Sequence, residues 1–284
     1  MPASLGKLPI PLWLKRLSME PPFRTLTRVV VRRLPVSVRT RELWDISPRP
    51  GYLLGLLNGA ELARYQQVPE ICALEFGVAG GQGLLALQSE ADAVEKETGI
   101  RIKVYGFDRG TGLPETTNDY RDHPDYWKPG DFPMDEHLLR AKLQPRTQLI
   151  LGDVEETTQR FVERIQDSPI GFISFDLDLY SSTTHAFTVL AHPNKRMLRQ
   201  VPLYFDDVVE SFVSHRFAGE LLAIDEFNER SETVKIDRWR GVKSGRPFPG
   251  EAYLDKMYVA YDLEAISAAK LEREARRLPL EGIV

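Results

Sequence analysis

Five short runs rich in β-branched and aromatic residues, at 72–76, 103–107, 147–151, 171–175 and 201–205, alternate with longer stretches of helical spacing. This alternation is the strongest constraint on the fold. A strand buried on both faces reads as a continuous apolar run, and strands separated by helices pair in parallel. The pattern predicts a mostly parallel sheet with helices on both faces. Two later runs, at 233–237 and 256–261, are close enough to pair as an antiparallel end and bring the expected sheet to seven strands. A helix is expected over 51–65, where Leu53, Leu56, Leu57 and Ala60 recur at helical spacing behind Pro48 and Pro50.

The 284 residues suffice for one large α/β domain with appendages. The expected divisions are a basic helical arm and cap over 1–66, a main domain over 67–264 and a C-terminal helix and tail over 265–284. A net charge of -4 gives no reason to expect nucleic acid as a partner. The single cysteine, Cys72, excludes an internal disulfide and opens an apolar run, which predicts a buried thiol. No apolar stretch is long enough to span a bilayer, and Pro9, Pro11, Lys15 and Arg16 interrupt Leu12-Trp13-Leu14. The expected location is the cytoplasm. In the arm, Arg24, Arg28, Arg32, Arg33, Arg39 and Arg41 outnumber Glu20, Glu42 and Asp45. That surface suits a cap on the main domain, a homodimer contact, or an acidic or anionic partner. The stretch at about 111–146 breaks the strand–helix alternation and carries Tyr120, His123, Tyr126, Trp127 and Phe132, which marks it as a lid or substrate wall.

Ligands of open α/β sheets bind beyond the carboxyl ends of the strands. The first strand ends in Glu75-Phe76-Gly77-Val78-Ala79-Gly80-Gly81-Gln82-Gly83, a glycine bend leading into a helix. Its spacing differs from the nicotinamide-binding Gly-x-Gly-x-x-Gly. Glu75 suits an ammonium group and would repel a pyrophosphate. The second strand ends at Asp108, where an acid can accept from ribose hydroxyls. The third ends at Gly152-Asp153, where an acid can accept from an exocyclic amine.

Those residues, together with Gly112-Leu113-Pro114, Asp176-Leu177-Asp178-Leu179-Tyr180-Ser181-Ser182-Thr183 and Asp206-Asp207, resemble the macrocin-type sugar O-methyltransferases over about residues 70–210. That family belongs to the class I S-adenosylmethionine-dependent methyltransferases, which have a Rossmann-like fold. The resemblance implies an adenosylmethionine site at Glu75, Gly77, Gly81, Asp108 and Asp153, with Asp176 counted in it as well. It also implies magnesium-dependent transfer to a hydroxyl of a small molecule, a sugar or a natural product. The chain departs from the family at Arg109-Gly110-Thr111, in the lid and in the N-terminal arm.

The fourth and fifth strand ends bring Asp176 and Asp178 close to Asp206 and Asp207. Clustered carboxylates repel unless a cation or protons neutralise them. Oxygen ligands without Cys or His suit magnesium, with calcium or manganese as alternatives. The candidate ligands are Asp176, Asp178, Asp206 and Asp207, and Asp178 has a second candidate role in capping the helix near Ser181. The catalytic candidates are Asp176, which can double as the base, Asp207, and His123 from the lid. Trp127, Trp239 and Arg240 are candidates for an acceptor pocket or for packing. Two competing readings remain at this level: a metal-dependent glycosyltransferase using Asp176-x-Asp178, and a non-catalytic adenosylmethionine-binding protein.

Overall fold

The computed structural model describes residues 23–115, 118–209 and 212–270. The seven expected strands form: β1 (Glu70–Phe76), β2 (Arg101–Asp108), β3 (Thr147–Leu151), β4 (Ile170–Phe175), β5 (Gln200–Phe205), β6 (Val234–Arg238) and β7 (Met257–Asp262). They make one sheet of order β3-β2-β1-β4-β5-β7-β6. β1 pairs in parallel with β2 and β4, β2 with β3, and β4 with β5, while β7 runs antiparallel to β5 and β6. The chain order reverses between β1 and β4, so the loops leaving these neighbours diverge and open a crevice at their carboxyl ends.

The helices are α1 (Phe23–Arg32), α2 (Val38–Leu43), α3 (Pro50–Tyr65), α4 (Gln82–Thr98), α5 (Glu136–Arg140), α6 (Val154–Arg160), α7 (Tyr180–Ala186), α8 (Thr188–Ala191), α9 (Gly219–Arg230) and α10 (Leu263–Ala268). α3 lies flat on β4 and β5 because glycines recur every four residues on its inner face. A β-carbon would fall 2.7 Å from the Tyr204 ring at Gly51, 2.2 Å from the Phe172 ring at Gly55 and 2.1 Å from the Gly171 carbonyl at Gly59. Pro50 opens the helix at the position where a missing N–H costs nothing.

Three strands end on a phenylalanine and β2 carries Phe107 just before its last residue, and the four rings form a ladder across the sheet in the order Phe107, Phe76, Phe175, Phe205. Successive centroids lie 4.6, 5.4 and 4.7 Å apart, at interplanar angles of 24°, 8° and 11°. Phe76 is in register with both Phe107 and Phe175, and Phe175 with Phe205. All four rings are buried. Each such pair contributes about 0.5–1.5 kcal/mol beyond area burial. The ladder floors the rim where Gly77, Asp108, Asp176 and Asp206 follow.

The N-terminal segment is pinned to the sheet domain. Arg28 pairs with Asp45 and Glu251, Arg39 with Glu61 and Arg41 with Glu90. Arg246, from the β6–β7 connection, is buried among Glu42 at 2.5 Å, Asp45 at 3.1 Å and the Tyr253 hydroxyl at 2.9 Å. Arg28 and Arg41, expected on a basic arm, thus meet acids of the main domain, while Arg39 meets Glu61 within the cap. Cys72 is buried as expected; its Sγ donates to the Ser168 carbonyl, and burial pushes the thiol far up. Residues 1–22, including the Leu12-Trp13-Leu14 run, and the 271–284 part of the expected C-terminal helix and tail lie outside the described residues. Among the described residues no helix is long and apolar enough to cross a membrane.

Candidate active site

A cavity of about 560 Å³ opens at the crevice between β1 and β4. Glu75, Gly77, Asp108, Asp153, Asp176, Asp178, Asp206 and Asp207 all line it. The acids and Gly77 singled out at the strand ends thus meet in one space; Gly81 does not line it but starts α4 from a left-handed conformation with φ 84°, its Cβ direction facing Leu139.

Gly77 shows why the bend needs glycine. Its φ is 83°, and a β-carbon would sit 1.7 Å from the carbonyl of Asp176. The first loop and the end of β4 touch backbone to backbone, which any side chain at 77 would prevent. Gly83, the second residue of α4, would place a β-carbon 1.9 Å from Oε1 of Glu75.

Glu75 is buried, and its Oε1 accepts a 2.8 Å hydrogen bond from the Tyr52 hydroxyl of α3. Its Oε2 is buried with no hydrogen-bond partner. Burial is the main cause that raises this carboxyl to about 8; Asp176 adds to the rise, while Tyr52 and Arg49 oppose it. A buried acceptor without a donor is costly, and an ammonium group at Oε2 would satisfy it. This orphaned oxygen under a glycine loop fits the amino-acid end of adenosylmethionine.

Asp108 holds the loop itself. Its Oδ2 accepts from the N–H groups of Val78 and Ala79, both at 2.8 Å, and its Oδ1 from Gly110 at 2.5 Å. Each carboxylate oxygen can take two donors, so room remains for a ribose hydroxyl. Asp153 caps α6 by accepting from Glu155 N–H at 2.9 Å and is exposed at the cavity edge.

At the other end stand the four aspartates and a fifth acid that the sequence reading missed. Asp206 accepts from the Tyr204 hydroxyl at 2.8 Å and from Lys256 Nζ at 3.0 Å. Asp207 Oδ2 accepts from the Asp178 N–H at 3.2 Å, and Asp207 N–H donates to buried Glu220 at 3.0 Å. Asp176 is raised to about 8 by burial and then by Asp206 and Asp207, and Asp178 to about 8 by burial and then by Asp207 and Asp176. Burial lifts Glu220 well above the ordinary carboxyl range. This hard-oxygen donor set, short of positive charge, fits a divalent cation. The three ligand atoms that approach within 4.8 Å of one another among the described residues belong to Asp153, Glu155 and His185, not to the aspartate quartet.

Two sequence-derived assignments need correction. Asp178 does not cap the following helix. α7 has no side-chain cap from Leu179, and Ser181 N–H instead donates at 2.8 Å to buried Asp122 of the lid. Asp178 has φ 62°, uncommon for a residue other than glycine, so its backbone is held by its surroundings. His123 does not line the cavity. It is buried with Nε2 3.1 Å from the Val213 carbonyl and its ring 5.0 Å from His215, and burial followed by His215 lowers its pKa. It packs the lid against the 212–218 loop.

The lid forms a cavity wall. Leu113 N–H donates to Asp131, Gly130 N–H to Leu113, and Met134 N–H to Gly110, at 2.9–3.2 Å. This clasp brings Leu113, Pro114, Trp127 and Phe132 against the cavity. Arg121 clamps the lid to α7, lying 4.4 Å from the Tyr180 ring and donating to its hydroxyl at 3.0 Å. Trp239 is half-buried packing, and Arg240 pairs with Asp237 on the surface; neither lines the cavity. The sequence reading also missed Arg49, which lines the cavity from just before α3. Its one sequence signal is a charged side chain fixed between Pro48 and Pro50.

No protein-family model and no curated protein matches the chain. Solved structures do. The chain is similar to the calicheamicin methyltransferase CalS11, at 20% identity over 85% of this chain and 93% of that one, with a TM-score of 0.50. It also matches the O-methyltransferase NovP at 15% identity over 75% of this chain and 79% of that one, with a TM-score of 0.47. A third match is MycE methyltransferase, in a complex with Mg and S-adenosylhomocysteine, at 12% identity over 76% of this chain and 51% of that one, with a TM-score of 0.41. On its strand order and its likeness to CalS11, the chain has the Rossmann-like class I methyltransferase fold.

Proposed function

We propose that this chain is an S-adenosylmethionine-dependent O-methyltransferase acting on a hydroxyl of a small molecule, a sugar or natural product, with a divalent cation in its aspartate cluster. The observation that carries this reading is the buried, partnerless Oε2 of Glu75, which lines the same cavity as Asp176, Asp178, Asp206 and Asp207. An ammonium-bearing nucleoside and an acceptor hydroxyl would then share one cavity.

In this reading Glu75 holds the ammonium group, the Gly77–Gly81 bend admits the methionine chain, and Asp108 and Asp153 face the ribose and the adenine. Asp176, Asp206 and Asp207 would hold the cation, magnesium by the hardness of their oxygens. Bound there, it would supply positive charge that eases loss of a proton from an acceptor hydroxyl. Asp178, which caps no helix and lines the same cavity, is placed to receive that proton. Adenosylmethionine would supply an electrophilic methyl group on its sulfonium, and these residues would hold it and the acceptor oxygen within one cavity. Leu113, Pro114 and Trp127 exclude water, and positioning supplies much of the rate.

Calorimetric titration with S-adenosylhomocysteine and with UDP-glucose tests the cofactor class. The former binds and the latter does not; the reverse result would establish the glycosyltransferase reading instead. Transfer of labelled methyl to a panel of hydroxylated acceptors, with and without magnesium, tests the rest. Asp207→Ala retains S-adenosylhomocysteine binding and loses magnesium-dependent transfer, and undiminished turnover in this variant removes the cation from the mechanism.

A further inference from the structure

Arg49 is the one cavity-lining residue contributed by the segment before α3. Its guanidinium carbon lies 5.5 Å from the centroid of the Tyr52 ring, and the hydroxyl of that ring bonds to Glu75 at 2.8 Å. Arg49 and Glu75 therefore flank a single phenol. Among the described residues, the Arg49 side chain makes no hydrogen bond and no ion pair within 4.0 Å. Its backbone is fixed by Pro48 and Pro50 and by an N–H bond to Ser47 Oγ at 3.0 Å.

The chemistry of an α-amino acid makes this arrangement selective. Its ammonium and carboxylate sit on one carbon, so a pocket that takes the ammonium must also receive the carboxylate a few ångströms away. Beside Glu75 that carboxylate enters a field already made negative by Asp176 and needs a cation there. Two arginines line the cavity, Arg49 and Arg109, and Arg109 follows Asp108 at the ribose end. We propose that Arg49 binds the methionine carboxylate of adenosylmethionine while Glu75 binds its ammonium, so that the N-terminal segment and the sheet grip the amino-acid end together. The inference rests on the cofactor reading above. A guanidinium is suited to the task by its planar pair of donors. Burial works against the Arg49 charge, but Tyr52, Asp176 and Glu75 outweigh it and raise its pKa.

The test compares three ligands on the full chain: S-adenosylhomocysteine; S-adenosyl-3-thiopropylamine, which keeps the ammonium and lacks the carboxylate; and 5′-methylthioadenosine, which lacks both. Arg49→Met weakens S-adenosylhomocysteine about 10- to 100-fold, the size of a lost charge-assisted bond. It leaves the other two ligands within about two-fold, since neither carries the group that Arg49 holds. Arg49→Lys recovers part of the loss. Intact binding of methylthioadenosine shows that the variant is folded. An equal loss for S-adenosylhomocysteine and the thiopropylamine, or no loss for either, overturns the role of Arg49. A wild-type chain that binds none of the three overturns the cofactor reading itself.

Discussion

If an ammonium group completes Glu75, cofactor binding must release a proton. The ligand-free carboxyl is held at about 8, chiefly by burial, so at pH 7 it carries about 0.9 proton. An ammonium at Oε2 favours the ionised form and returns the carboxyl to its ordinary range, so nearly all of that proton leaves on binding. Calorimetry of S-adenosylhomocysteine binding in two buffers of different ionisation heat counts it. Asp176, also at about 8, lines the same cavity and can contribute protons of its own. The diagnostic quantity is therefore the wild-type count minus that of Glu75→Gln, which keeps an acceptor for the Tyr52 hydroxyl but has no proton to give. The expected difference is about 0.9 at pH 7, with affinity about 10- to 100-fold weaker in the variant. The same carboxyl sets a stability slope in the ligand-free protein. Its folded pKa lies above the unfolded one, so the folded state binds the extra proton between about 4.5 and 8. Stability therefore falls as pH rises through that window, by roughly 5 kcal/mol in all if the full shift is expressed. Glu75→Gln flattens the slope. A zero difference in proton count, or proton uptake, refutes the reasoning.

Two further outcomes follow from the packing. Phe175→Ala removes the ring that stacks on both Phe76 and Phe205 and costs about 3–5 kcal/mol in urea unfolding; a loss below about 1 kcal/mol would mean the ladder does not support the rim. Asp122→Ala takes away the acceptor for Ser181 N–H at the start of α7, costs about 1 kcal/mol and speeds proteolysis within 111–135, and an unchanged cleavage rate would show that Asp122 does not hold the lid.

The sheet was legible because each strand announces itself locally. The continuous apolar runs ended within two residues of the observed β1 to β5, and the 233–237 and 256–261 runs paired as an antiparallel end. The glycine bend and the acids after the strands were legible for the same reason: a strand end fixes where the next residue lies. Residues whose role depends on a distant partner were not. Asp178 stands two residues before Tyr180 and looked like a cap, but the helix takes its cap from Asp122, 59 residues away in sequence from Ser181. His123 carried the right chemistry for a base, but its direction is set by contact with the 212–218 loop. Arg49 and Glu220 reach the site through the packing of α3 and α9, which no local pattern encodes.

The phenylalanine ladder explains why the acids converge at all. On Phe76-Gly77, Phe107-Asp108, Phe175-Asp176 and Phe205-Asp206 the same step from ring to rim recurs on four adjacent strands. Side chains of a strand alternate between faces, so a slip of one residue in β4 would exchange the environments of Phe175 and Asp176. The ring would leave a stack with partners at 5.4 and 4.7 Å, and a carboxylate would enter an aromatic layer with no donor to meet it. Both changes oppose the slip. Contacts that stabilise the sheet thereby select its register, and register is what sets Asp176 beside Gly77 and brings Asp206 to the same rim.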